Sequence, residues 1–193
     1  MSTKLIKPYI EVDKKEIISK LNFLTGLTIK DICNDLLEHA VKSNYAMFLT
    51  PHFKRSVTIK RLQFPAQNSP IPFPELKNEL TRITLIVNDK IHGYANNLYY
   101  ATDVSVPKIL ASMINYSISD HKFFERYVTD YLSNKIDDER KRLLKSILKD
   151  INKETEGSHN IGSLLFCIAD ELKDNGDSIE ESIEKVTSRW TTV

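Results

Sequence analysis

"RITLIVNDKIHGYANNLYYATDVSVPKILASMINYSI", residues 82–118, changes its hydrophobic period once and is then broken by a turn. Ile83, Leu85 and Val87 alternate with Arg82, Thr84 and Ile86, the period of a strand with one buried face. Ile91, Tyr94, Ala95, Leu98 and Ala101 then recur at helical spacing. After Asp-Val-Ser-Val-Pro, Ser105 is placed to cap a second helix carrying Ile109, Leu110, Met113, Ile114 and Ile118. The stretch predicts one strand and two short helices. A strand of this length needs a partner, because even a two-stranded ribbon is marginal in water without a face to pack on.

A partner is present upstream. "LIKPYIEVDKKEIISKLNFLTGLTIKDICNDLLEHAVKS", residues 5–43, has a short alternating stretch, then Ile17, Ile18, Leu21 and Leu24 at helical spacing. Gly26 breaks that run, Thr28 is placed as a cap with Asp31 three residues on, and Ile29, Ile32, Cys33, Leu36, Leu37 and Ala40 follow. Laying Thr28 on Ser105 gives an offset of 77 (105 − 28) and matches "LTIKDI" with "VSVPKI". The chain carries one strand–helix–helix pattern twice, with little identity of letters. If the two strands pair antiparallel, their inward faces rest on four helices and their outward faces form a solvated ribbon. Ile83, Leu85 and Val87 then face inward, and Arg82, Thr84 and Ile86 outward. An offset of 75 is also open for the first strand. Two residues is a full strand period, so either offset leaves Lys7 and Tyr9 outward.

Two residues fit the first strand poorly. Pro8 cannot donate to a ladder and is expected at an unpaired edge or in a short strand, and Glu11 points outward. A rival is "KRSVTIKRLQF", residues 54–64, which reads either as an additional strand or as a basic arm carrying Lys54, Arg55, Lys60 and Arg61.

Four prolines fall in "QFPAQNSPIPFPELKN", residues 63–78, an extended linker. Three amphipathic patterns follow in the last sixty residues, the final one with Ile179, Ile183, Val186 and Trp190 in a stripe. The expected organisation is a first unit at 1–48, a basic strand and linker at 49–81, a second unit at 82–122 and a helical extension at 123–193.

Composition narrows the functional classes. The 193 residues are 41% hydrophobic and 27% charged, with a net charge of +1. Residues 1–62 hold 11 Lys and Arg against 6 Asp and Glu, and residues 133–193 hold 10 against 13, so the basic excess is N-terminal. There is no run of eighteen apolar residues and no leader-like apolar stretch, which points to a cytoplasmic protein without a membrane partner. Cys33 and Cys167 each sit in a helical pattern and read as buried thiols. The five histidines are scattered at 39, 52, 92, 121 and 159, and the five glycines are isolated. No metal site, phosphate-cradling loop or catalytic constellation is legible, so neither a cofactor nor an enzyme is expected. Tyr94, Tyr99, Tyr100 and Tyr116 sit at helical spacing and read as core or core-edge residues.

The two quoted stretches resemble the ribbon-helix-helix family of DNA-binding regulators. As two copies in one chain followed by further helices, they are most similar to the tandem regulators of archaeal filamentous viruses of the lipothrixvirus type. The resemblance covers a little under half of the chain. It implies a mainly α fold with a short two-stranded antiparallel ribbon, built as two tandem ribbon-helix-helix units plus C-terminal helices. It also implies sequence-specific binding of double-stranded DNA in transcription regulation, in the host cytoplasm if the protein is viral.

Within that expectation Lys7, Tyr9, Arg82, Thr84 and Ile86 read base edges in the major groove. The amino ends of the second helices, at Thr28 with Lys30 and at Ser105 with Lys108, take backbone phosphates. Lys54, Arg55, Lys60 and Arg61 are further phosphate candidates, although so small a cluster is commonly just a solvated face. The alternative function is a helical protein-interaction module, antitoxin-like or a scaffold, acting through the C-terminal helices, which are equally open to self-association. Whether the ribbon forms within one chain or between two is left open at this stage.

Overall fold

The computed structural model describes residues 3–74, 79–120, 122–124, 126–127, 130 and 142. In chain order its elements are strands β1 (Thr3–Ile6) and β2 (Tyr9–Glu11), then helices α1 (Val12–Thr25), α2 (Ile29–Lys42) and the short α3 (Tyr45–Leu49). A 3-10 turn at Thr50–His52 leads to strands β3 (Val57–Ile59), β4 (Leu62–Phe64), β5 (Leu80–Arg82) and β6 (Leu85–Asn88). Helices α4 (Asp89–Thr102) and α5 (Val106–Ser119) complete the series. The described part is mainly α with short antiparallel strand pairs.

Residues 3–11 pair antiparallel with residues 80–88 within the one chain. Thr3 faces Asn88 and Ile6 faces Leu85 in β1–β6, and Tyr9 faces Arg82 and Glu11 faces Leu80 in β2–β5. Pro8 lies between the two pairings, not at an edge. Its carbonyl accepts the Ile83 N–H at 3.1 Å, which is the partner that uninterrupted pairing would give it. The proline has no N–H to give to the ladder and so divides one ribbon into two short segments without a slip of register. The second strand begins at Leu80, two residues before the periodicity alone placed it. Ile83, Leu85 and Val87 are buried, as are Pro8 and Ile10 on the facing strand.

The helices settle the choice of offset. The helices α1, α2, α4 and α5 are each 14 residues long, and α4 follows α1 by 77 (89 − 12) just as α5 follows α2 by 77 (106 − 29). The caps obey the same relation. Gly26, at φ 70°, donates its N–H to Asn22, and Asp103, at φ 59°, donates its N–H to Tyr99. Each closes a first helix in the left-handed conformation. Glycine adopts that conformation without strain, and Asp103 is held in it by contacts given below.

The chain divides into two compact units, Met1–Ile18 with Thr28–Ser119, and Ser19–Leu27 with Asp120–Val193. In the first, the two strand–helix–helix segments share a core. Helices α2 and α5 bury Ile32, Cys33, Leu36 and Leu37, and Ile109, Leu110, Met113 and Ile114. The Ser117 hydroxyl donates to the Leu36 carbonyl at 2.7 Å, so the buried hydroxyl between these helices is satisfied. Tyr45 Oη and Ser112 Oγ lie 2.6 Å apart, and Tyr94 Oη accepts the Ala46 N–H at 2.8 Å. Burial pushes the Tyr94 phenol up to about 12 and the Cys33 thiol likewise to about 12. In the second unit, the Asn22 side-chain amide donates to the Leu27 carbonyl and Phe123 packs its ring 5.6 Å from that of Tyr127. Cys167 and the Ile179, Ile183, Val186 and Trp190 stripe lie outside the described residues.

The segment 54–64 is a hairpin of its own and adds no strand to the ribbon. Its two-residue turn is Lys60-Arg61, with φ 49° and 68°. Such a turn favours Asn-Gly or Asp-Gly, which is why its sequence gives no hairpin signal. Residues 65–74 run without helix or strand along the 3-10 turn. Gln67 N–H bonds the Phe53 carbonyl at 2.8 Å and Ile71 N–H bonds the Pro51 carbonyl at 2.9 Å.

Two outcomes test this packing. Leu85→Ala, which removes a side chain at 1% exposure, should cost about 2–4 kcal/mol in denaturant unfolding, whereas Thr84→Ala beside it should cost under about 0.5 kcal/mol. Arg61→Gly relieves a left-handed non-glycine residue and should raise stability by about 0.5–1 kcal/mol, read as a higher melting temperature.

Candidate nucleic-acid interface

Hydrogen-bonded and non-hydrogen-bonded pairs alternate along an antiparallel ribbon, and side chains approach closer in the latter. Ile83 donates to Pro8 and Val12 donates to Glu79, so the even-numbered residues of the first strand occupy hydrogen-bonded positions. Leu5 with Ile86, Lys7 with Thr84, and Tyr9 with Arg82 are therefore close cross-strand rungs, all on the face turned from the helices. Leu5 is 62% exposed and Tyr9 50% exposed. Lys7, Arg82 and Thr84 are exposed and Ile86 half-buried. Lys7, Tyr9, Arg82, Thr84 and Ile86 thus lie together on one surface.

That surface has a built geometry. Arg82 Cζ sits 4.9 Å from the centroid of the Tyr9 ring, a cation–π contact that holds the guanidinium over the phenol. Below the ribbon, the Asn34 amide donates to the Ile86 carbonyl at 3.1 Å and Lys15 Nζ donates to Thr81 Oγ1 at 3.3 Å, tying helices α2 and α1 to the strands. Residues 3–10 and 81–88 include Lys4, Lys7 and Arg82 and no acidic residue. Glu11 stands at one end, half-buried, with its carboxylate 3.5 Å from the Asn115 amide, so it turns toward α5 as well as flanking the ribbon. At the other end His92 is held below its ordinary value by burial and by Lys4, against the opposing effect of Asp89.

The helix amino ends are less alike than their sequences. At α2 the Thr28 hydroxyl accepts the Asp31 N–H at 3.2 Å and donates to the Asp31 carboxylate at 2.6 Å, so an acidic side chain already occupies this end. Lys30 beside it is exposed. At α5 the Ser105 carbonyl accepts the Ile109 N–H at 3.0 Å, and Lys108 Nζ lies 5.6 Å from the Phe73 ring centroid.

The basic segment is largely engaged with the protein itself. Lys54 and Arg55 donate their backbone N–H groups to the Ala101 carbonyl at 2.6 and 3.2 Å. The Arg55 guanidinium bonds both Asp103 oxygens, at 2.5 and 3.3 Å, and the Tyr100 carbonyl at 2.9 Å. Lys54 Nζ lies 3.9 Å from the same carboxylate. These contacts secure Asp103 in its left-handed cap. Lys60 Nζ donates to the Val41 carbonyl at the end of α2 and lies 5.7 Å from the Tyr94 ring centroid. Burial, and then Lys90, lowers its pKa. Arg61 is exposed.

Sequence reasoning missed Leu5, the most exposed apolar side chain of the ribbon. Extending strand parity two residues back from Lys7 would have found it. Among the described residues no helix is long and apolar enough to cross a membrane, and no three His, Cys, Asp or Glu side chains gather as a metal site. Comparison with protein-family models, curated proteins and solved structures finds no match to this chain.

Because Arg55 and Asp103 are both over 40% exposed, their contact is screened by water. Arg55→Ala should lower unfolding stability by no more than about 1 kcal/mol, and added salt should shrink the difference between variant and parent.

Proposed function

We propose that the protein is a sequence-specific, double-stranded DNA-binding transcription regulator that inserts its two-stranded ribbon into the major groove. The two strand–helix–helix segments act in this reading as two ribbon-helix-helix units fused in tandem, a pseudo-dimer within one chain. The observation that carries it is the outward face of the ribbon, where Lys7, Thr84, Tyr9 and Arg82 stand exposed on close rungs that hold two cations, Lys7 and Arg82, and no acid. A major groove about 12 Å wide admits such a ribbon, and the side chains are of the types that read base edges. Arg82 and Lys7 donate to guanine, and Thr84 bonds a base edge or touches a thymine methyl. Lys4 and Lys30 supply phosphate contacts, which carry affinity but little sequence information.

Selection of bound duplexes from a random pool, followed by anisotropy titrations at several salt concentrations, tests the proposal. A consensus should emerge whose affinity falls about 10- to 100-fold in Arg82→Ala/Thr84→Ala, while weak binding to random duplex survives with its salt dependence. Failure to enrich any duplex, or equal loss of specific and random binding in the double variant, would refute it.

A further inference from the structure

The offset of 77 that relates α1 to α4 and α2 to α5 also relates the two strands, and it fixes where their pseudo-two-fold axis crosses the ribbon. Lys7 corresponds to Thr84 and faces it, so the axis passes through that rung. Leu5 corresponds to Arg82, and Tyr9 to Ile86. The rung Leu5–Ile86 is therefore the symmetry counterpart of the rung Tyr9–Arg82. In backbone the two rungs are equivalent, and in chemistry they are opposites. One is wholly aliphatic, with Leu5 62% exposed. The other carries a guanidinium stacked 4.9 Å over a phenol.

A homodimeric ribbon must present the same side chains on both sides of its axis and so reads a palindrome. This ribbon is relieved of that requirement because its halves are encoded separately. We infer, resting on the DNA-reading function proposed above, that it recognises a non-palindromic operator in one fixed orientation. Its Tyr9–Arg82 rung faces a guanine and its Leu5–Ile86 rung faces the methyl group of a thymine. Arginine donates to guanine O6 and N7, and an aliphatic side chain finds its only favourable major-groove partner in the thymine methyl. Leu5 and Tyr9 are four residues apart on the strand, about 13 Å at ~3.3 Å per residue. The two recognised bases should then lie about four base steps apart at ~3.4 Å per step. Lys7 and Thr84 stand between them. The end residues differ too, with Glu11 corresponding to Asn88.

The experiment is selection from a random duplex pool by the full chain, followed by titration of the winning duplex with single-atom base changes. An asymmetric consensus is expected. Replacing thymine by uracil in one half should weaken binding by the wild type about 3- to 5-fold and leave Leu5→Ala unaffected. Replacing guanine by 7-deazaguanine in the other half should weaken the wild type about 10-fold and leave Arg82→Ala unaffected. Leu5→Arg/Ile86→Tyr, which makes the two outer rungs alike, should shift the selected consensus to one with guanine at the outer position of both halves. Its thermal unfolding is followed in parallel to show that it folds. A palindromic consensus from the wild type, or loss on uracil substitution that persists in Leu5→Ala, would overturn the inference while leaving DNA reading intact. Enrichment of no duplex at all would overturn both.

Discussion

A two-stranded ribbon leaves two rows of backbone groups facing water for every row it pairs, so it holds together only if one of its faces is buried. Here that face is made by both strands at once. Ile10 and Pro8 from one strand and Ile83, Leu85 and Val87 from the other are buried together with residues of α2 and α5. A shift of one residue would turn the buried set outward and the cationic set inward, with Arg82 and Lys7 against the helices. Register and core are thus one constraint. The exposed chemistry of the outer face follows from it, because every residue there is the neighbour of a buried one.

The same constraint accounts for the tolerance of Pro8. Proline in a ladder forfeits a donor, and at a central position in a sheet it is rare. In this ribbon its carbonyl still accepts from Ile83, and its ring lies on the buried face. The rungs on either side of it, Lys7–Thr84 and Tyr9–Arg82, occupy positions at which no cross-strand backbone bond is made between the facing residues. The interruption therefore falls where it leaves the outward side chains in register.

Much of this was legible in the sequence. Alternation at residues 82–87 gave the correct buried parity, helical spacing gave α4 and α5, and Gly26 and Thr28 marked the end of one helix and the cap of the next. Those signals are local and follow from period and backbone conformation alone. What was not legible is non-local or atypical. Periodicity does not distinguish offsets of 75 and 77, since they differ by one strand period, and only helix lengths and caps decide between them. The Lys60-Arg61 turn uses left-handed backbone without glycine or asparagine, so the hairpin looked like a strand or an arm. Arg55 looked like a free cation because Asp103 is 48 residues away along the chain. Extended parity would have pointed to Leu5, but an apolar residue near a strand start reads as core until its partner strand is known.

The covalent joining of the two strands has a kinetic side. Thr3 meets Asn88, so the ribbon cannot close until both strands and everything between them have been made, and contacts of such long sequence separation fold slowly. In return, the encounter of the strands is unimolecular. A ribbon assembled from two chains falls apart on dilution and is present in proportion to the square of its concentration when scarce, whereas a tethered pair keeps a constant effective concentration. A chain built this way remains assembled at a few copies per cell.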